Sequence, residues 1–157
     1  MKRSETTPFT VQEASGEDAA DILVLADVHR DELGAFIQHR QWLFQQLEKG
    51  EVFIARTGEG IVMGFVVFSH QSLRQPENTI VYYLCTSKDY RGRGAGKLLM
   101  EAVASDARIR GKKAIDLKCP ADAPANRFYS SIGYELRRGE TDPEGCRLNV
   151  WTLSLSE

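Results

Sequence analysis

Three glycines and three basic residues fall within seven positions, Arg91 to Lys97, in the stretch RGRGAGK. A run of β-branched and aromatic residues precedes this stretch, and a helix-forming run follows it. The first amides of a helix have no intrahelical partner, and the helix dipole favours an anion at that end. Glycine lets a backbone approach phosphate groups closely, and the basic side chains add charge. The pattern therefore predicts a phosphate-binding loop.

Two common phosphate-binding loops do not fit the spacing. A P-loop requires glycine five residues before its Gly-Lys pair and Ser or Thr after it, but Arg91 and Leu98 hold those positions. A Rossmann fingerprint fits Gly92 and Gly94 but requires a third glycine at position 97, where the chain has lysine. Neither ATP binding of the P-loop type nor dinucleotide binding is therefore expected.

The loop resembles a third motif, the R/Q-x-x-G-x-G/A loop of the GNAT superfamily of acyl-CoA-dependent N-acyltransferases. A second segment, NRFYSSIGYEL at 126–136, is similar to that family's A-x-x-FY-x-x-x-GF segment and lies at the expected distance. A strand before the loop, a helix of about four turns after it and the order of elements over nearly the whole chain also agree. The resemblance implies an acetyl-CoA-dependent N-acetyltransferase.

The resemblance also implies a cofactor site. The backbone of 92–97 would hold the pyrophosphate of acetyl-CoA, with Arg91 at its start. The pantetheine arm would run along the preceding strand and pair with its backbone. The cofactor-binding residues implied in this way are Leu84, Cys85, Thr86, Arg91, Gly92, Arg93, Gly94, Ala95, Gly96, Lys97 and Asn126.

The chain departs from the family pattern at a few positions. Many members have Asn seven residues before the family tyrosine, and this chain has Asp122 there. Asn126 either substitutes as a cofactor contact or caps the short helix. Thr86 stands where Val is usual and Lys88 where Pro is common, and both are tolerable where backbone atoms make the contacts.

The implied reaction is direct attack of an amine on the thioester, with amides near 84–86 steadying the oxyanion. Tyr129 matches the tyrosine of the family's FY pair and is the candidate general acid for the leaving thiolate. The general base stays open, and a relay through water is equally compatible with the sequence. The side-chain candidates are Asp116, Glu32, His29, His39, Glu77 and His70.

The three cysteines, Cys85, Cys119 and Cys146, are scattered and have no metal-ligand spacing. Cys85 and Cys119 end two strands that we expect to be neighbours, so a cysteine nucleophile is conceivable. A buried free thiol is the commoner meaning of such a residue. We therefore expect free thiols in a reducing cytoplasm and no metal.

The acceptor is the least constrained part of the interpretation. Asp31 and Glu32 could attract a cationic amine or lie in a solvated turn. Arg147 and Asn149 could line the acceptor site or face water, and Trp42 is better explained as core. The near-neutral charge, with 20 basic and 22 acidic residues, disfavours bulk nucleic acid and favours a small amine or a peptide N-terminus.

Hydrophobic periodicity predicts a mixed α/β (α+β) chain. The resemblance implies that this chain is a single GNAT domain over 1–157, with a flexible N-terminus of about residues 1–8. It also implies a mixed, mostly antiparallel sheet that is splayed between strands 4 and 5 and flanked by about four helices. The predicted strands are 9–13, 52–55, 61–70, 79–86, 114–119, 134–138 and 148–155. The predicted helices are 19–30, 38–50, 94–110 and 125–133.

Composition sets outer bounds on the function. A chain of 157 residues that is 42% hydrophobic and 27% charged is typical of one globular domain. The N-terminus lacks the apolar run of a secretory signal, and the longest apolar run, 61–68, is too short for a bilayer, so we expect a cytoplasmic protein away from membranes. A homodimer stays open. The rival functions are a non-catalytic acyl-CoA-binding module and a binder of nucleotide phosphates.

Overall fold

A computed structural model describes residues 8–33 and 40–155. Within these ranges the chain forms seven strands and five α-helices. The strands are β1 (Phe9–Glu13), β2 (Val52–Thr57), β3 (Val62–Ser69), β4 (Asn78–Thr86), β5 (Ala114–Pro120), β6 (Glu135–Thr141) and β7 (Arg147–Ser154). The α-helices are α1 (Ala19–Val28), α2 (Arg30–Leu33), α3 (Arg40–Glu48), α4 (Ala95–Ile109) and α5 (Ala125–Ser131), and 3₁₀ turns cover Gly16–Asp18 and Lys88–Tyr90.

The described strands form one mixed sheet in the order β1-β2-β3-β4-β5-β7-β6. The pairs β1–β2, β2–β3, β5–β7 and β6–β7 are antiparallel, whereas β4 and β5 are parallel. A parallel pair needs a crossover connection, and α4 provides it. The predicted α/β class with a mixed, mostly antiparallel sheet is confirmed.

The parallel ladder between β4 and β5 is short. It covers Asn78–Val81 against Ala114–Leu117, although β4 continues to Thr86 and β5 to Pro120. The expected early end of pairing between strands 4 and 5 is confirmed. The last residues of β4 are those that the sequence assigned to the pantetheine arm.

The described chain forms two compact units, one of residues 8–33, 40–68 and 83–103 and the other of residues 69–82 and 104–155. In the first unit, α1 and α3 cover one face of β2 and β3, and the buried side chains include Ile22, Leu43, Ile54 and Phe65. In the second, the buried side chains include Ile115, Leu117, Val150 and Trp151. The domain boundaries stay a prediction, since residues 1–7 lie outside the described ranges.

Local signals account for the ends of the first helices. Ser15 and Asp18 form a capping box: the Ser15 N–H donates to Asp18 Oδ2 at 2.8 Å, and Ser15 Oγ accepts from the Glu17 N–H at 3.3 Å. The box caps a 3₁₀ turn that leads into α1. Helix α1 ends at Val28, before the predicted residue 30, because His29 leaves helical geometry at φ −109° and ψ 27°.

In the described ranges, none of the helices has the length and apolar character needed to span a membrane. The start of the second predicted helix, at residue 38, lies outside the described residues. The predicted stop of that helix at Gly50 is present, with φ +75° and a Glu51 N–H that donates to the Gln46 carbonyl at 2.9 Å.

Candidate active site

The glycine loop joins β4 to the N-terminus of α4. Gly92 and Gly94 have φ of +81° and +90°, in the left-handed region that favours glycine. The first paired amide of the helix is that of Leu98, which donates to the Gly94 carbonyl at 3.0 Å. Among the described residues the amides of 95–97 have no acceptor, so they are available to an anion.

The outer side of the loop is open. A Cβ placed at Gly92 or Gly94 would meet no atom within 4 Å. The Arg93 guanidinium lies over the Tyr90 ring, 5.9 Å from its centroid, and Lys97 is exposed. Donor amides, cationic side chains and space are together what a pyrophosphate requires, so the residues present fit the group that the resemblance implies.

The end of β4 presents one backbone edge away from β3. The Ser87 N–H donates to the Met63 carbonyl of β3 at 2.8 Å, and the Cys85 carbonyl lies on the same side. Because backbone groups alternate along a strand, those of Leu84 and Thr86 face the opposite edge. Of the three residues that the resemblance implies for the pantetheine arm, Leu84 and Thr86 therefore present their backbone groups on the edge away from β3, and Cys85 presents its carbonyl to β3.

A glycine in β3 permits this arrangement. A Cβ at Gly64 would lie 2.6 Å from the Cys85 carbonyl oxygen and 3.3 Å from both the Thr86 Cα and Leu99 Cδ1. No real Cβ approaches a carbonyl oxygen that closely, so only glycine lets β4 lie where it does. The sequence interpretation did not single out Gly64, although an isolated glycine within a strand is a signal of close backbone approach.

Arg91 is held at both ends of its guanidinium. Its Nη2 donates to Glu32 Oε1 of α2 at 2.6 Å, and its Nε donates to the Thr86 carbonyl at 3.1 Å. The hydrogen bond to Glu32 raises the pKa of Arg91 above its usual value. Beside it, Lys88 Nζ lies 3.6 Å from Asp31 Oδ2. Asp31 and Glu32 are the acidic pair that could have attracted a cationic acceptor. Both are instead paired with basic side chains: Glu32 with Arg91 of the glycine loop, and Asp31 with Lys88 of the preceding turn.

His29 joins α1 to the same turn. Its buried ring lies with Nδ1 3.0 Å from the Leu25 carbonyl, and its Nε2 accepts from the Lys88 N–H at 3.0 Å. A carbonyl oxygen can only accept and a backbone N–H can only donate, so the ring carries its proton on Nδ1. Both nitrogens of this candidate base are therefore committed to main-chain partners.

His70 also has both ring nitrogens committed. In its buried position, Nδ1 lies 2.7 Å from Thr79 Oγ1 and Nε2 lies 2.8 Å from Asp106 Oδ2. Thr79 is fully buried, so this row of three side chains is a structural link and offers no accessible hydroxyl. His39, another candidate base, lies outside the described residues.

The two remaining carboxylate candidates also have structural partners. Asp116 accepts from Asn78 Nδ2 at 3.0 Å and from the Thr152 hydroxyl at 2.7 Å, which ties β5 to strands on both sides. Glu77 forms an exposed ion pair with Lys113 at 3.5 Å. The general base therefore stays open. In the described part of the chain, no group of three or more His, Cys, Asp or Glu side chains could hold a metal ion.

Tyr129 is buried in α5. Its ring packs edge-on against Phe128 at 5.3 Å and against Tyr134 at 6.0 Å. Burial, and secondarily Cys119, raise the pKa of the Tyr129 phenol. The hydroxyl therefore keeps its proton at neutral pH, as a candidate general acid must. The neighbouring Tyr134 hydroxyl is buried and has no hydrogen-bond partner among the described residues.

Asn126 uses both ends of its side-chain amide inside the protein. Its Oδ1 accepts from Asn149 Nδ2 at 3.1 Å and from Trp151 Nε1 at 2.8 Å. Its Nδ2 donates to three carbonyls at 2.8 to 3.3 Å, those of Pro120, Ala121 and Ala123. Asn126 does not cap the short helix, because α5 begins at Ala125 with Pro124 at its N-cap and no side-chain cap hydrogen bond. Its amide instead holds the β5–α5 loop to β7. The loop borders a hollow of about 490 Å³ that Asp122 and Arg127 also line.

The cysteines lack the thiolate character of a nucleophile. Burial, and then the charge of Glu32, raise the pKa of the Cys85 thiol to about 12, against the opposing effect of Arg91. Burial, and then Asp122, also raise the pKa of Cys119. Both residues are protonated at neutral pH, which favours attack by the acceptor amine itself. All three cysteines in the described chain are free thiols.

Sequence comparison identifies the family of the chain. The family model described as "Acetyltransferase (GNAT) domain" matches residues 48–136, which is more than half of the chain and includes the glycine loop and Tyr129. The chain therefore belongs to the GNAT acetyltransferase family. A comparison with curated proteins finds no match.

Solved structures share the fold over nearly the whole chain. Ard1 from Thermoplasma volcanium has a TM-score of 0.79 at 19% identity and covers 95% of this chain and 99% of its own. The protein yncA from Salmonella typhimurium, solved with its cofactor acetyl-CoA, has 0.77 at 17%, with 96% of each chain covered. The ribosomal-protein-S18-alanine N-acetyltransferase from Escherichia coli has 0.73 at 18%, with 95% of each covered. The predicted GNAT fold is confirmed.

Proposed function

We propose that this protein transfers an acetyl group from acetyl-CoA to a primary amine. The observation that carries the proposal is the glycine loop at the N-terminus of α4, where the amides of 95–97 are unpaired and the surface outside Gly92 and Gly94 is open. The likeness to yncA, which was solved with acetyl-CoA, supports the same ligand.

The cofactor is held in two parts. The amides at 95–97 receive the pyrophosphate at the positive end of the helix dipole, and Arg93 and Lys97 supply charge. The backbone groups of Leu84 and Thr86, which face away from β3, pair with the pantetheine arm as a neighbouring strand would. Acetyl-CoA supplies the thioester, and the groups that hold acetyl-CoA belong to the chain.

In the reaction, a carbon–nitrogen bond forms as the carbon–sulfur bond breaks and thiolate leaves. The amide of Leu84 or Thr86, on the edge away from β3, stabilises the oxyanion that develops on the carbonyl. Tyr129 is the proposed proton donor to the leaving sulfur. The attacking amine loses its proton to a base that the described contacts leave open, or to water.

We propose a small molecule or a peptide N-terminus as the acceptor. The fold neighbours include the S18-alanine N-acetyltransferase and a NatC complex bound to Gag peptide and CoA, which supports the peptide arm. We also propose a cytoplasmic location, because the cysteines of the described chain are free.

A second candidate is a non-catalytic acyl-CoA-binding module. The observation that favours it is the commitment of the described base candidates to structural partners: His29 and His70 through both ring nitrogens, and Asp116 through both carboxylate oxygens. This candidate keeps the same cofactor site and makes no product.

The test is a calorimetric titration with acetyl-CoA and with ATP, followed by thiol-release assays over amines, amino acids and peptides. We expect acetyl-CoA to bind and ATP not to, and one amine class to release CoA. Binding without release on any acceptor would favour the module, and absence of acetyl-CoA binding would refute the cofactor site.

A pair of aspartate variants makes the titration specific to the loop. Gly94→Asp puts a carboxylate against the pyrophosphate and is expected to abolish acetyl-CoA binding. Gly60→Asp is the matched control, because Gly60 has φ +89° and open space around its Cα, as Gly94 has. Unchanged affinity in Gly94→Asp, or equal loss in both variants, would contradict the assignment.

A further inference from the structure

We propose that the α1–α2 junction, residues 29–32, holds the cofactor loop in its binding shape, with His29 and Glu32 as positioning residues. The inference rests on the proposed function, since it assigns a role within the same cofactor site. Both residues appeared in the sequence as candidate general bases. Their contacts point to a different role, because His29 is bonded to the turn that precedes the glycine loop and Glu32 is bonded to Arg91 at the start of the loop.

His29 acts on the backbone of that turn. Its Nε2 accepts the Lys88 N–H at 3.0 Å, at the start of the 3₁₀ turn Lys88–Tyr90. Its Nδ1 donates to Leu25 within α1 at 3.0 Å, so the ring is anchored to the helix. The ring is 1% exposed, and a buried backbone N–H that loses its acceptor pays its full desolvation cost. The turn is therefore fixed to α1 whatever side chain stands at position 88.

Glu32 acts through Arg91. The Arg91 guanidinium donates to Glu32 at 2.6 Å and to the Thr86 carbonyl at 3.1 Å. Arg91, the first residue of the glycine motif, thereby links the last residue of β4 to Glu32 of α2, and Glu32 fixes the plane in which the guanidinium lies. The nearby contact between Asp31 and Lys88 is long and exposed, so it adds little.

A loop that is held before the cofactor arrives loses less conformational freedom on binding, and affinity rises accordingly. Removing either contact should therefore weaken acetyl-CoA binding and leave the chemical step largely intact. This predicts a rise in the KM for acetyl-CoA at nearly constant kcat. A role as general base predicts the reverse, a fall in kcat with little change in cofactor affinity.

The first experiment compares His29→Leu with His29→Gln. Leucine removes the acceptor for the Lys88 amide, and we expect the acetyl-CoA Kd to rise on the order of tenfold. Glutamine keeps an oxygen near the position of Nε2 and should restore most of the affinity. Equal affinity in wild type and His29→Leu would overturn the inference. Failure of the wild type to bind acetyl-CoA would instead refute the proposed function.

The second experiment does not depend on the buried His29 ring. It compares Glu32→Gln with Asp27→Asn. Asp27 also pairs with an arginine, Arg30, on the same helical segment but has no contact with the loop, so it is the matched control. We expect Glu32→Gln to raise the KM for acetyl-CoA about threefold at nearly constant kcat, and Asp27→Asn to leave it unchanged. A lower KM in Glu32→Gln would show that the freed Arg91 binds phosphate directly and would overturn the positioning role.

Discussion

The surroundings of Tyr129 limit how far its phenol can transfer a proton to the leaving group. Burial and Cys119 raise the pKa of its phenol, so the proton is present at neutral pH. The leaving group is a thiolate, and an ordinary cysteine thiol has a pKa of about 8.5, so full proton transfer to a thiolate from a phenol with a raised pKa is uphill. A hydrogen bond that strengthens as charge develops on the sulfur is the contribution that we expect.

Tyr129→Phe should therefore bind acetyl-CoA normally and lower kcat by about 10²-fold, the low end for an acid–base group. Steady-state assays with an established acceptor measure the effect, and single-turnover assays replace them if product release limits kcat. An unchanged single-turnover rate would remove Tyr129 from the mechanism.

Tyr134→Phe is the matched control for this measurement. The Tyr134 ring packs against Tyr129, but its buried hydroxyl has no partner among the described residues. Removing that hydroxyl should leave kcat unchanged and leave the free energy of unfolding equal or slightly higher. A loss of activity equal to that of Tyr129→Phe would mean that packing of the pair, and not the Tyr129 hydroxyl, is what the assay detects.

For individual site residues, the sequence predicts the role well where the motif is continuous in the chain. It predicts the role poorly where the residue's contacts come from distant segments. The glycine loop could be placed because 91–97 carry the whole signal. The contacts of Arg91 with Glu32 and of His29 with Lys88 each join residues 59 positions apart, and no local pattern predicts them. The same limit explains why Asn126 could not be assigned between its two roles.

At the scale of elements, β3 and β4 meet through a position that only glycine can occupy. Gly64→Ala would press its Cβ on the Cys85 carbonyl, and we expect a loss of about 1–3 kcal/mol in the free energy of unfolding. The same displacement moves the backbone of Thr86, so the KM for acetyl-CoA should rise. Urea denaturation and cofactor titration measure the two effects.

Gly58→Ala, in the β2–β3 turn, is the comparison for this variant. Its Cβ would meet no atom within 4 Å, so neither stability nor cofactor affinity should fall. A Gly64→Ala protein as stable as Gly58→Ala would mean that β3 and β4 adjust without cost.

The strands could be predicted because alternating or continuous apolar runs bounded by turn residues are strong signals. The long helix α4 could be predicted for the same reason, with a periodic apolar face. Helix α2 was not predicted, because four residues are too few to show a period. It forms where His29 ends α1, and the contact of His29 with the Lys88 N–H is tertiary.

At the scale of the whole molecule, several buried weak acids make stability depend on alkaline pH. Burial raises the pKa of Cys85 from 9.0 to about 12, and those of Tyr129 and Tyr134 are raised as well. The unfolded chain releases these protons at lower pH than the folded chain. These groups therefore contribute their full stabilisation of the folded state at a pH below their pKa values in the unfolded chain. That contribution is lost as the pH rises towards their pKa values in the folded chain.

Cys85→Ala should reduce the steepness of this loss. Between pH 9 and about 12, the free energy of unfolding of the wild type should fall more steeply than that of the variant, by about 1.4 kcal/mol per pH unit. Urea denaturation from pH 8 to 11 measures the two slopes. Cys146→Ala, which removes an exposed thiol, is the comparison variant. Parallel curves for wild type and Cys85→Ala would contradict the raised pKa.

The Asn126 amide has a consequence for how this protein can diverge. It holds the β5–α5 loop by the carbonyl oxygens of 120, 121 and 123, and every amino acid has a carbonyl oxygen. The loop's path is therefore insensitive to which side chains stand at 121–123, the same positions that border the hollow. Mutations there can accumulate without unfolding the loop. In a lineage of such proteins, those positions are free to drift under selection for new ligands, while Asn126 and Trp151 are not.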